Sequence, residues 1–408
     1  MKKRTLKKYA DLIVKVGANV QKGQEVIINA DLEIAYFVEY VVESAYKAGA
    51  KEVTIKWSDD NLRKLHYKYQ KTETLGTFKD WEIERLKYRT NVQPVMIRLE
   101  SSDPDGLKGI DQAKMSEVRK MLYPVYKPFA DESENKYQWT IAAVPGEKWA
   151  KKLFPQLSKK QAVKKLWDAI LFASRADGFN PIRAWEDHNA NLADHARTLN
   201  MLELQKLHIR GKNGTDLKIG LIPDALFMAG GDTTLKGIYF NPNIPTEECF
   251  TTPKKGEAEG IVYATKPLSY QGEVIDDFYL KFKEGKVVEA YAKKNNELLQ
   301  NMLNSDENAR YLGEVALVPK ESPINKLGFL FFNTLFDENA TCHLALGAGF
   351  TNCIIGYDQY SKEELTAKGV NDSMIHVDFM IGTDDLEIDG LTKNGQRVAI
   401  FRKGTWVS

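Results

Sequence analysis

The chain of 408 residues lacks most of the features that announce a common function. Its three cysteines, Cys249, Cys342 and Cys353, are an odd number with no Cys-x-x-Cys spacing, which argues against a disulfide framework and a thiolate zinc site and fits a reducing compartment. Neither charge is in excess: 57 Lys plus Arg against 56 Asp plus Glu leave a net +1, so neither nucleic acid nor an acidic membrane surface is expected as a partner. No apolar run approaches the roughly 20 residues of a membrane helix. The nearest, GFLFFNTLF at 328–336, is short and strand-like, and no membrane association is expected. The N-terminal MKKRTLKKYADLIVKVG has no apolar block or small-residue cleavage site of a signal peptide. It carries Leu6, Tyr9, Leu12, Ile13 and Val16 at helical spacing instead, so a cytoplasmic protein is expected. Glycine-rich nucleotide loops are missing too. No G-x-G-x-x-G follows EVIINA and no G-x-x-x-x-G-K-[ST] occurs, which disfavours a Rossmann dehydrogenase; G-x-S-x-G and H-E-x-x-H are also absent.

What is present divides into two textures. In the first half, the β-branched apolar runs at 25–30, 52–57, 92–100 and 137–145 alternate with helical patterns at 33–49, 77–91 and 110–130, which reads as parallel α/β layering. Ser158 with Gln161 three residues on marks a capped helix carrying Ala162, Val163, Leu166, Trp167, Ile170 and Leu171 on its apolar stripe, and another helix is expected from about Pro181 to Gln205. Beyond that, KLHIRGKNGTDLKIGLI reads as two strands around a turn, and strand-and-turn character continues almost to the end. The expected organisation is an α/β N-terminal domain over 1–207 and a strand-rich α+β domain over 208–408.

The second half also holds polar residues in apolar surroundings. In MIHVDFMIG, strand alternation puts Ile375, Val377, Phe379 and Ile381 on one face and Met374, His376, Asp378 and Met380 on the other. A carboxylate buried there needs a positive answer, either His376 as a local ion-pair partner or a cation shared by both. Glu248, Glu314, Glu338 and His343 stand in similar contexts. Singly, each has an ordinary explanation as a turn cap, a lysine partner or a satisfied core histidine. Gathered in one region, four carboxylates and two imidazoles would repel one another and be badly desolvated without bound cations. Such donors suit zinc, cobalt or manganese, and six of them exceed one tetrahedral zinc, so two ions are the more natural reading. His188 and His195 in WEDHNANLADH form a competing pair on one helical face, read as a solvated or interdomain helix because no carboxylate bridges them at i+3 or i+4. His66 and His208 have no partner in sequence.

The ordered segments FNPIRAWEDHNANLADHARTLN, NPNIPTEECFTTP, TKPLSYQGEVIDD, LGEVALVP, LFDENATCHLALGAGF, IHVDFMIGTDDLEIDG and VAIFRKGTW resemble the thermophilic-type metallo-aminopeptidases, as does YADLIVKVGANVQKGQEVIINA near the start. The resemblance implies removal of N-terminal residues from short peptides, with broad side-chain preference, by water activated at a two-metal centre. Zinc or cobalt are the implied ions, with manganese and magnesium as further candidates. It implies Glu248, Glu314, Glu338, His343, His376 and Asp378 as metal ligands, Glu314 bridging, and a homodimer enclosing the active sites; Glu314 is, separately, the carboxylate expected to take the proton from the attacking water, although a bridging ligand is less free to act as a base. One position departs from the family pattern: Phe350 follows His343 at the distance where the family often has a tyrosine, and Tyr357 and Tyr360 are read either as substitutes for its hydroxyl or as ordinary packing aromatics. That departure keeps open a different class, a non-catalytic peptide- or metal-binding protein on the same scaffold.

Overall fold

A computed structural model describes residues 1–101 and 103–407. The described residues fall into two compact units, the first comprising 1–186, 231–245 and 271–273, the second 187–230, 246–270 and the residues from 274 onward. The single cut expected at 207/208 therefore differs from this division, in which the chain leaves the first unit within the helix Pro181–Met201 and returns to it at 231–245. That helix is continuous, so no loop or composition shift marks the place.

The first unit is built on a parallel sheet of strands β1 (Glu25–Asp31), β2 (Glu52–Ser58), β3 (Val95–Glu100) and β4 (Trp139–Ala143), in the order β2-β1-β3-β4, with Asn243–Ile244 pairing parallel to β4 at the far edge. In β1, Val26, Ile28 and Ala30 are buried on one face while the alternate residues are half-buried. The helix Ala35–Ala48 ends on Gly49 in the left-handed conformation, and Lys159–Ala173 starts with the expected capping box, Ser158 and Gln161 satisfying each other's backbone N–H. Tyr9, Phe37 and Trp167 bring together the N-terminal helix Lys3–Leu12 and these two helices, with ring centroids 5.4 to 5.9 Å apart. The helices Asp60–Tyr69 and Glu147–Leu153 lie outside the helical stretches expected from the sequence.

In the second unit, antiparallel pairing takes over. The expected hairpin pairs Leu204–Arg210 with Asp216–Leu221 inside a sheet of nine strands among the described residues. A separate four-stranded sheet runs β5 (Cys249–Thr251), β6 (Leu312–Leu317), β7 (His343–Gly347) and β8 (His376–Met380), each pairing antiparallel with the next. One apolar core holds side chains of both sheets. Leu207, Ile209, Leu217, Ile219, Phe278 and Leu280 come from the larger, and Cys249, Val315, Leu317, Leu344, Leu346 and Phe379 from the smaller. The architecture is thus α/β with a parallel sheet, followed by antiparallel sheets.

GFLFFNTLF is not a strand. Gly328 and Phe332 have positive φ, the carboxylate of Asp337 accepts the N–H groups of Phe331 (2.7 Å) and Asn333 (3.0 Å), and a short helix Thr334–Asp337 follows. Phe331 stacks on Phe336 at 4.4 Å, so its apolar residues fill a folded turn instead of a ladder.

Candidate metal centre

The smaller sheet turns one face to the core, and strand alternation decides what the other face carries. Cys249, Val315, Leu317, Leu344, Leu346 and Phe379 point into the core, so Glu248, Glu314, His343, Asp378 and His376 lie on the opposite face. Register brings them together. His343 stands opposite Ala316 on β6, Ala345 lies between Glu314 and Asp378, and His376 stands opposite Gly347. Gly347 has φ +103° and its Cα comes so close to β8 that a Cβ would lie 2.0 Å from the Ile375 carbonyl oxygen, so only glycine allows the two strands to meet there.

The donor atoms form two sets. His343 Nε2 lies 3.0 Å from Glu248 Oε2 and 4.0 Å from Glu314 Oε1, while His376 Nε2 lies 3.1 Å from Glu314 Oε2 and 3.4 Å from Asp378 Oδ1. Within each set, Glu248/Glu314/His343 and Glu314/His376/Asp378, the atoms all lie within 4.8 Å of one another. Glu314 belongs to both and presents one oxygen to each. Glu338 is half-buried next to them, with Asn339 Nδ2 donating to its Oε1 at 3.3 Å, and it stands outside the two tight sets.

Each imidazole is held from behind. Nδ1 of His343 lies 3.2 Å from the Thr341 carbonyl oxygen and Nδ1 of His376 lies 2.8 Å from that of Ala348; an N–H there donates to the carbonyl and leaves Nε2 aimed at the carboxylates. Thr246 Oγ1 donates to Glu248 Oε1 at 3.4 Å. These anchors were not legible in the sequence, since a backbone carbonyl carries no residue-type signal.

The electrostatics record an unmet demand for positive charge. Burial, with the charges of Glu248 and Asp378, pushes the Glu314 carboxyl up to about 7 despite its bond to His376. Burial and the same neighbouring carboxylates hold Glu338 well above the carboxylate range. Burial disfavours charge on the imidazoles, yet the bond to Glu248 pushes His343 up to about 9, and Asp378 and Glu314 hold His376 well above its ordinary value. Burial also opposes charge on Asp378, but the His376 charge outweighs it and lowers its pKa. Asp378 Oδ1 is buried and makes no well-formed hydrogen bond, its ion-pair contact with His376 Nε2 being 3.4 Å long. A face of carboxylates and oriented imidazoles, with one carboxylate common to two sets, fits divalent cations.

The other histidines are employed elsewhere. His188, expected on a solvated or interdomain helix face, is buried, with Nε2 2.8 Å from the Thr246 carbonyl oxygen, because the loop before β5 covers it. His195 stacks on Trp406 at 4.4 Å, and His208 bonds Asp216 at 2.6 Å. Tyr357 packs against Ile222, Ile354, Leu365 and Val370, and the ring of Tyr360 carries Lys368 Nζ at 4.4 Å. Phe350 stands at the centre itself, its ring 5.0 Å from that of His376.

Fold and site together define a protein with an α/β unit and a strand-rich unit bearing a donor cluster suited to divalent cations. The family model described as thermophilic metalloprotease (M29) matches residues 2–406, and the chain belongs to that family. It is 41% identical over 402 residues to aminopeptidase AmpS of Bacillus subtilis, covering 98% of both chains. It is 39% identical over 406 residues to aminopeptidase T of Thermus thermophilus, covering 99% of both. The solved structure of wild-type AmpT from Thermus thermophilus superposes with a TM-score of 0.89 over 100% of both chains at 38% identity. No helix among the described residues is long and apolar enough to cross a membrane.

Proposed function

We propose that this chain is an aminopeptidase that hydrolyses the N-terminal peptide bond of short peptides at a centre of two divalent cations. The observation that carries the reading is the division of the Glu314 carboxylate, whose Oε1 faces His343 and whose Oε2 faces His376, so that two donor sets share one bridging group. Glu248, Glu314 and His343 would hold one ion and Glu314, His376 and Asp378 the other, with Glu338 beside them as a further donor. When bound, such a pair supplies Lewis-acid polarisation of a carbonyl and acidifies water. The chain's own groups do the rest. The Thr341 and Ala348 carbonyls keep both Nε2 atoms on the donor face, and Glu314, the carboxylate common to both sets, is assigned the proton transfer to the leaving amine. The relatives are named as aminopeptidases, which supports the activity. The same reading includes zinc or cobalt as the ions, broad side-chain preference, a site carried by the 208–408 half, and a cytoplasmic homodimer.

Exhaustive chelation is expected to abolish hydrolysis of an aminoacyl reporter, and zinc or cobalt to restore it. Turnover that survives complete metal removal contradicts the proposal. The other reading, a non-catalytic metal- or peptide-binding protein, predicts bound metal with no turnover of any reporter.

A further inference from the structure

Two aromatic rings beside the donor cluster have no part in holding cations. Phe250 follows Glu248 by two positions, and because the intervening Cys249 points into the core, Glu248 and Phe250 share the donor face. Phe350 is brought there by its backbone. Its N–H donates to Thr252 Oγ1 at 2.7 Å, and the same hydroxyl lies 3.2 Å from both the Phe350 and Gly313 carbonyl oxygens. The rings meet edge to face, centroids 5.2 Å apart at 62°, and Phe350 extends the pair to the His376 imidazole 5.0 Å away. Both phenylalanines are only half-buried and His376 beside them is exposed, so apolar surface remains open at the accessible edge of the donor cluster. Ligand sites are built in this way, with apolar walls beside a few oriented polar groups.

We infer that Phe250 and Phe350 form the seat for the side chain of the substrate's N-terminal residue, and that within a broad range of accepted residues they favour apolar termini such as leucine, methionine and phenylalanine. The inference rests on the aminopeptidase reading. In that reading the free amine and the scissile carbonyl are both held at the donor cluster. The first side chain branches from the carbon between them, so it stays within one side chain's length of His376, where the rings stand, while the leaving portion extends away. A charged terminus would lose water against two phenyl faces and gain no partner from them.

The test compares kcat/KM for leucyl, methionyl, alanyl and lysyl reporters in the wild type and in Phe250→Ala and Phe350→Ala. Truncating a ring is expected to lower the leucyl-to-alanyl ratio about tenfold, mainly through KM, consistent with what an apolar pocket discriminates. Metal content by elemental analysis should stay at the wild-type value, and binding of free L-leucine relative to L-alanine, measured by calorimetry, should weaken by the same factor. If an alanine variant does not fold, Phe350→Leu, which keeps apolar volume but removes the ring, should shift preference from aromatic toward aliphatic termini. Unchanged ratios in variants that retain metal and turnover overturn the inference and leave the aminopeptidase reading standing. A wild type that hydrolyses no reporter overturns both.

Discussion

Glu314→Gln separates a charge gathered for cations from an ordinary buried ion pair. Glu314 is 4% exposed and its carboxyl is pushed from 4.5 up to about 7, chiefly by burial. At about 1.4 kcal/mol per pKa unit, an ionised Glu314 costs the metal-free fold roughly 3 kcal/mol at pH 8. The folded-state value lies above the unfolded one, so the native protein keeps a proton that the unfolded chain has released, and this group lowers metal-free stability as pH rises from about 4.5 to about 7. Glutamine removes that cost. It keeps an oxygen for His376, and weakening of that charge-assisted bond returns about 1 to 2 kcal/mol. The metal-free variant should therefore be as stable as the wild type at pH 8, or more stable by up to about 2 kcal/mol. With zinc the order reverses. A cation present at about a hundred times its dissociation constant stabilises the wild type by roughly 2.7 kcal/mol, and the variant, having lost the charge common to both sets, should gain little. Urea unfolding of chelated and zinc-loaded samples measures all four states. A variant that is clearly less stable without metal, yet keeps the full zinc-dependent gain, would refute the reasoning and return Glu314 to the role of a local partner for His376.

Asp389 is 3% exposed and takes charge-assisted bonds from Arg210 (2.6 Å), Arg397 (2.5 Å) and Arg402. Burial opposes its charge, but Arg402 and Arg397 outweigh this and lower its pKa, so its contribution is present above the ordinary aspartate value of about 4 and is lost as pH falls through the lower folded-state value. Asp389→Asn should cost about 1 to 3 kcal/mol in denaturant unfolding at pH 7 and progressively less in acid; equal midpoints at pH 7 would contradict it. All three cysteines are buried, and burial pushes the Cys249 and Cys342 thiols up to about 12, so neither should react with a thiol reagent until the chain unfolds. Rapid labelling of either in the native protein would show that the core opens.

The sequence carried the local order well and the long-range order poorly. The alternation in MIHVDFMIG separates His376 and Asp378 from Val377 and Phe379, and the structure keeps that separation. The runs at 25–30 and 52–57 became β1 and β2, and the Ser158 cap held, because in each case the pattern and the element coincide within a few residues. GFLFFNTLF failed as a strand because one carboxylate, Asp337, captures two of its own loop's N–H groups, a local competition that hydrophobicity does not register. The convergence of Glu248, Glu314, His343 and Asp378 depends on the registers of β6, β7 and β8, including the irregularity between Leu312 and Glu314, and no periodicity encodes those pairings. Resemblance to a family supplied the grouping that pattern could not. The return of 231–245 to the first unit left no mark in composition.

The central claim is that Glu314 lies between two cations. Anomalous diffraction at the zinc absorption edge, from crystals of zinc-loaded protein, tests it most directly. Two peaks are predicted, one among Glu248, Glu314 and His343 and the other among Glu314, His376 and Asp378. No peak on this face, or a single ion with Glu314 outside its coordination sphere, would contradict the account.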